Sequence, residues 1–228
     1  MTDFPIRCLV FDCDGVLLDS VEVKTRAFAR VAAPFGEEAR DRLVMLHRRH
    51  GGVSRQEKFR WLWEDILQRP PSAAAIDALS RHFADCIAEE LRTCPLIPGA
   101  LETLERWHGV LPLHVCSGAP QEELHAILEL RGMSRYFASI HGSPPKKAAL
   151  LQDIVDASLL LPEEVLMVGD SGRDMRAAEA VGTQFYACGP ELRSDSLPWG
   201  QDLRGLNDWI AARLKNKDRL DIETDSQV

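Results

Sequence analysis

Two aspartates one residue apart, Asp12 and Asp14, flank Cys13 at the end of an apolar run and are followed by Gly15. If extended backbone persists through residue 14, both carboxylates point to one side. There they repel, unless one is protonated or a divalent cation lies between them, and oxygen ligands of this kind suit Mg2+. A second acidic pair, Asp170 and Asp174, stands in the run Gly169-Asp170-Ser171-Gly172-Arg173-Asp174. Ser117, in Ser117-Gly118-Ala119-Pro120, offers a hydroxyl, and with Gly118 it exposes backbone N–H groups that can hold an oxyanion. Lys146 and Lys147 follow two prolines and open a helical pattern, a poor place for cations unless an anion is near. Taken singly, each has a simpler account: a turn of solvated acids, a helix cap, a solvated lysine pair.

These residues need rigid elements to bring them together. Ile6 to Asp12 is short, apolar and β-branched, as expected of a strand buried on both faces. Leu111 to Cys116, Val165 to Val168 and Thr183 to Ala187 repeat the pattern, each ending in Ser, Gly, Asp or Pro. Between and after them, helical periodicity is expected over 121–131, 147–155 and 174–181. The alternation predicts an α/β fold with a doubly wound, mainly parallel sheet, whose ligands bind beyond the carboxyl ends of the strands. The candidate acids, Ser117 and glycines all fall at such ends.

From about Val21 to Pro95 the alternation stops. Helices are expected over 21–34, 37–49, 54–67 and 73–93, with Asp19-Ser20 at one boundary and a proline-rich linker at the other. The expected division is a core of residues 1–19 and 96–214, an all-helical cap of 20–95, and a polar tail of 215–228. Within the cap, a Gly51-Gly52 turn leads to Arg55 and Lys58, which either contact substrate or form a solvated helix start. Phe59, Trp61, Leu62 and Ile66 read as cap core. His47 and His50 share a helix face but lack a third partner for a metal site.

Composition narrows the partners. There are 27 Lys and Arg against 35 Asp and Glu, a net charge of -8, and no basic stripe, so nucleic acid is not an expected partner. A small phosphorylated metabolite remains compatible, given cations or a metal concentrated at one place. The six cysteines show neither CxxC nor zinc spacing, and no segment reads as a signal peptide or membrane span; a reduced, cytoplasmic protein is expected.

Four signals together, DCDGV (Asp12 to Val16), Ser117, the second lysine of PPKKA (Lys147) and GDSGRD (Gly169 to Asp174), resemble the haloacid dehalogenase superfamily, in its order and from Ile6 to about Gly189. The resemblance implies a Rossmann-like core with an inserted helical cap, and nucleophilic phosphoryl transfer. Asp12 would attack phosphorus to form an aspartyl phosphate. Asp14 would protonate the leaving alcohol and then activate water. Ser117 and Lys147 would hold phosphoryl oxygens, with Gly118 beside them on the substrate. Mg2+ would lie on Asp12, the backbone carbonyl of Asp14, and Asp170, with Asp174 supporting or joining them. Asp14 favours phosphate esters over dehalogenation, since the dehalogenases generally lack an acid there. GVSR (Gly52 to Arg55) is similar to the cap loop of the β-phosphoglucomutases, but those carry a His where this chain has Lys24, which argues for a phosphatase of the phosphoglycolate phosphatase-like branch over a sugar-phosphate mutase. A non-catalytic binding protein on the same fold is the remaining alternative, and no catalytic position is substituted in its favour.

Overall fold

The computed structural model describes residues 4–214; the polar tail expected at 215–228 lies outside them. Six strands form one sheet: β1 (Cys8–Phe11), β2 (Leu113–Pro120), β3 (Ser139–Ser143), β4 (Val165–Gly169), β5 (Gln184–Cys188) and β6 (Trp199–Gly200), in the order β3-β2-β1-β4-β5-β6. Every pairing is parallel. β1 is central, and the chain leaves it toward β2 on one side and later returns to β4 on the other. This reversal opens a crevice at the carboxyl end of β1. Phe11 is in register with both Val115 and Val168, so the residues that follow the three strands emerge at one level.

Side-chain alternation splits the strands between two cores. Leu9, Phe11, Leu113, Val115, Leu166 and Val168 face one side, where α5 (Ala100–Trp107), α6 (Gln121–Leu130) and a helical stretch over 206–214 cover them. Cys8, Val10, Val165 and Met167 face the other and meet α7 (Lys147–Ser158) and α8 (Gly172–Val181).

Between β1 and β2 lie α1 (Val21–Ala32), α2 (Glu37–Arg49), α3 (Arg55–Trp61) and α4 (Ala73–Thr93). Their centre is aromatic: Phe28, Phe59 and Phe83 are at most 2% exposed, with ring centroids 4.5 to 6.1 Å apart. Each such ring stabilises by about 1.5–3 kcal/mol on burial. Ser54 and Ser72 cap α3 and α4 by accepting from Glu57 N and Ala75 N. The helix expected over 54–67 is split, because α3 passes into a π-turn at Leu62–Ile66. The two connections to the sheet run side by side: Asp19 N donates to Pro95 O and Ile97 N to Leu17 O, at 2.9 and 3.1 Å.

Candidate active site

β1 ends at Phe11, so Asp12 and Asp14 are not placed by strand alternation as the spacing suggested; the chain bends at Cys13 and turns tightly at Gly15 (φ 80°). Both aspartates line one cavity of about 510 Å3 at the carboxyl end of β1, closed on its far side by α1–α4. The two carboxylates have different partners. Asp12 is buried and pairs with Lys147, whose Nζ lies 2.9 Å from Asp12 Oδ1 and 2.5 Å from Asp174 Oδ1. Asp14 is partly exposed, accepts from Ser20 Oγ at 2.6 Å and is paired with Lys24.

These surroundings set the charges. Burial pushes the Asp12 carboxyl up to about 7, against the opposing pull of Lys147. Burial also acts on Asp14, but Lys24 and Ser20 outweigh it and hold that carboxyl below the usual range. Lys147 loses solvation too, yet Asp12 and Asp174 keep it protonated well beyond an ordinary lysine. Asp170 is raised well above a normal carboxyl by burial, then by the negative charges of Asp12 and Asp174.

Asp174 serves twice. Its Oδ2 accepts from Ser171 N at 3.0 Å and Ser171 Oγ at 2.6 Å, the capping box that starts α8, while its Oδ1 reaches Lys147. Gly169 permits this approach, since a Cβ there would stand 2.2 Å from Asp174 Cβ. Asp170 packs over Gly15 in the same way, 2.1 Å from where a Cβ would be.

Asp12, Asp170 and Asp174 each present a carboxylate oxygen, all within 4.8 Å of one another. Asp12 Oδ1 is buried without hydrogen-bond geometry to any group, although Lys147 stands within ion-pair distance. An all-oxygen acidic set with an unfilled acceptor fits a hard divalent cation such as Mg2+. Asp14, also expected at the metal, turns its carboxylate to Lys24 and Ser20 instead, which is compatible with a role for its backbone carbonyl.

Of the other expected residues, Gly118, Arg55 and Lys58 line the cavity with Asp170. Ser117, Lys147 and Asp174 are buried behind its wall, and Ser117 Oγ accepts from Ala119 N at 3.2 Å. Lys146 is exposed, whereas Lys147 reaches the acids. Arg55 is not a solvated helix start: its guanidinium donates to Ser80 O at 3.1 Å and pairs with Glu123 on α6. Lys58 lies 2.8 Å from His47 Nδ1. Sequence reasoning did not find the parts played by Ser20, His47 and Glu123. For Ser20 and Lys24 a signal existed, because four residues on a first helical turn place both side chains over the preceding loop.

Known proteins resemble this chain in sequence and in fold. The family model for haloacid dehalogenase-like hydrolases matches residues 6–182. The chain is 28% identical over 185 residues to a phosphoglycolate phosphatase of Synechococcus elongatus, covering 78% of this chain and 81% of that one. It is 26% identical over 235 residues to a phosphoglycolate phosphatase of Rhodospirillum rubrum, covering 94% and 95%. In fold it is similar to a β-phosphoglucomutase of Clostridium difficile (TM-score 0.76, 14% identity, 93% of this chain and 98% of that one). It is also similar in fold to a haloacid dehalogenase-like family protein of Streptococcus pneumoniae (TM-score 0.68, 19% identity, 92% and 100%). With a match across more than half its length and an acidic crevice at the end of β1, the chain belongs to the haloacid dehalogenase-like hydrolase family.

Proposed function

We propose that the protein is a Mg2+-dependent cytoplasmic phosphatase that hydrolyses a small phosphate monoester of the phosphoglycolate or sugar-phosphate kind. The observation that carries this reading is the placement of Asp12, backed by Lys147, at the base of a cavity that also holds Asp14 and Asp170. Residues 20–95 act as the cap over a core of 1–19 and 96–214. Asp12, Asp170 and Asp174, with the Asp14 carbonyl, would hold Mg2+, which supplies neutralisation of charge on the phosphoryl group.

An Asp12 oxygen forms a bond to phosphorus as the ester P–O bond breaks. Asp14 gives its proton to the departing alcohol oxygen. In the free site Lys24 and Ser20 hold Asp14 as a carboxylate, so it takes up a proton as the negatively charged substrate enters, and the same two groups stabilise the carboxylate once that proton is given away. In the second half, Asp14 takes a proton from water, whose oxygen bonds to phosphorus as the bond to Asp12 breaks. Ser117 and Lys147, just behind the cavity wall, would hold phosphoryl oxygens, and the Lys147 charge favours the ionised, attacking form of Asp12 against the burial that raises it.

The test is phosphate release from phosphoglycolate, sugar phosphates, nucleotides and p-nitrophenyl phosphate, with Mg2+ or EDTA. Release that needs the metal and is lost in Asp12→Asn is expected. An isomerised sugar phosphate without free phosphate would show a mutase instead.

A further inference from the structure

The cations around the cavity differ in how their charge is met. Lys24 pairs with Asp14, Arg55 with Glu123, and Arg48 with Glu22 at 3.4 Å. Lys58 has no carboxylate within ion-pair distance among the described residues, yet it is only 2% exposed. One of its N–H groups points to His47 Nδ1 at 2.8 Å, and its ammonium lies 5.2 Å from the centre of the Phe28 ring. No other acceptor reaches it among the described residues, although an ammonium has three N–H groups to place. His47 is held neutral in turn: burial, then the charge of Lys58, keep its imidazole uncharged down to about 3, and its ring packs on Phe28 with centroids 4.6 Å apart. Burial and the nearby Lys24 charge bring Lys58 down to about 7, the response of a cation without a counter-ion.

A buried charge is costly unless it is paired, and the cavity is where a partner can enter. We propose that Lys58, positioned by His47, binds a carboxylate on the alcohol portion of the substrate, so that the cavity selects phosphate esters bearing one carboxylate. The proposal rests on the phosphatase reading and names its substrate class. A single free cation matches a single negative charge. A second phosphoryl group would require Arg55 as well, whose guanidinium is committed to Glu123 and Ser80 O. A neutral sugar hydroxyl would leave the Lys58 charge unmet beside Phe28 and Phe83, which also line the cavity.

The experiment compares kcat/KM for 2-phosphoglycolate and for 2-hydroxyethyl phosphate, which keeps the chain but lacks the carboxylate. In Lys58→Met the ratio of the two should fall roughly 10- to 100-fold, the range for a lost charged hydrogen bond, and Lys58→Arg should retain more of it. His47→Leu should lower the same ratio, and His47→Gln, which keeps an acceptor, should lower it less. Equal loss on both esters, or an unchanged ratio, would overturn the proposal. Binding separates it from the phosphatase reading: in Asp12→Asn with Mg2+, phosphoglycolate should raise the melting temperature more than hydroxyethyl phosphate, and Lys58→Met should remove the difference. If wild-type protein releases no phosphate from any ester while that preference persists, hydrolysis fails and the carboxylate site stands; without the preference the site falls as well.

Discussion

Lys147 faces two carboxylates at once, and nothing else of positive charge stands between Asp12 and Asp174 among the described residues. Its removal leaves two buried acids uncompensated, a loss of about 3–5 kcal/mol for a buried charge pair broken from one side. Lys147→Met should therefore lose at least ~100-fold in activity and melt at a lower temperature, with part of the melting loss recovered by Mg2+. Lys146→Met should change stability by no more than about 0.5 kcal/mol, since its side chain is exposed. A calorimetric scan of both variants with and without the metal checks this; equal behaviour of the two would refute it. The sequence shows two adjacent lysines at the start of a helical pattern, and only their order relative to the helix separates them. The acids were legible as residues because they follow apolar strands. Their partners were not: Lys147 and Asp174 are 27 positions apart, and Arg55 and Glu123 are 68 apart.

At the scale of elements, the Gly51-Gly52 turn before α3 explains how the helical insert meets the sheet. A Cβ on Gly118 would stand 2.6 Å from Gly52 O, and one on Gly52 would stand 3.0 Å from Ser171 Oγ. The backbone of the turn thus rests on the carboxyl end of β2 and on the loop that follows β4, and Arg55–Glu123 ties α3 to α6 beside it. Gly118→Ala should push this contact apart. A displacement near 1 Å in a catalytic arrangement costs up to ~100-fold, so kcat/KM is expected to drop roughly 10- to 100-fold with a small change in melting temperature. Full activity in Gly118→Ala would mean that the contact is dispensable. Patterning revealed β1, β2, β4 and β5 because each is apolar. It missed β3, whose sequence Ser-Ile-His-Gly-Ser is mostly polar, as an edge strand can be, and α5, whose eight residues are short for periodicity.

Across the whole molecule, the unpaired Lys58 makes stability depend on pH in a direction that can be worked out. The unfolded lysine binds its proton up to about 10.5 and the folded one only up to about 7, so between those values the unfolded state holds more protons and stability rises with pH. The penalty for burying the charge is complete below about pH 7 and shrinks above it, by up to ~1.4 kcal/mol per pH unit. The groups facing Lys58 are Lys24 on α1, Asp14 in the loop after β1, His47 on α2 and Arg173 on α8, with Glu57 on its own helix. Buried Cys8, Cys116 and Cys188 oppose the trend only above their unfolded value near 9.0, because folding pushes each up to about 12. Differential scanning between pH 7 and 8.5 stays below that range, and the thiols are common to wild type and variant. Lys58→Met, which keeps the volume and removes the charge, should melt several degrees higher than wild type at pH 7, and the gap should narrow by pH 8.5. A gap that does not change with pH would show that the gain comes from packing. A wild type that is the more stable protein at pH 7 would mean that the Lys58 charge is compensated from within the fold, leaving it no need of an anion from outside.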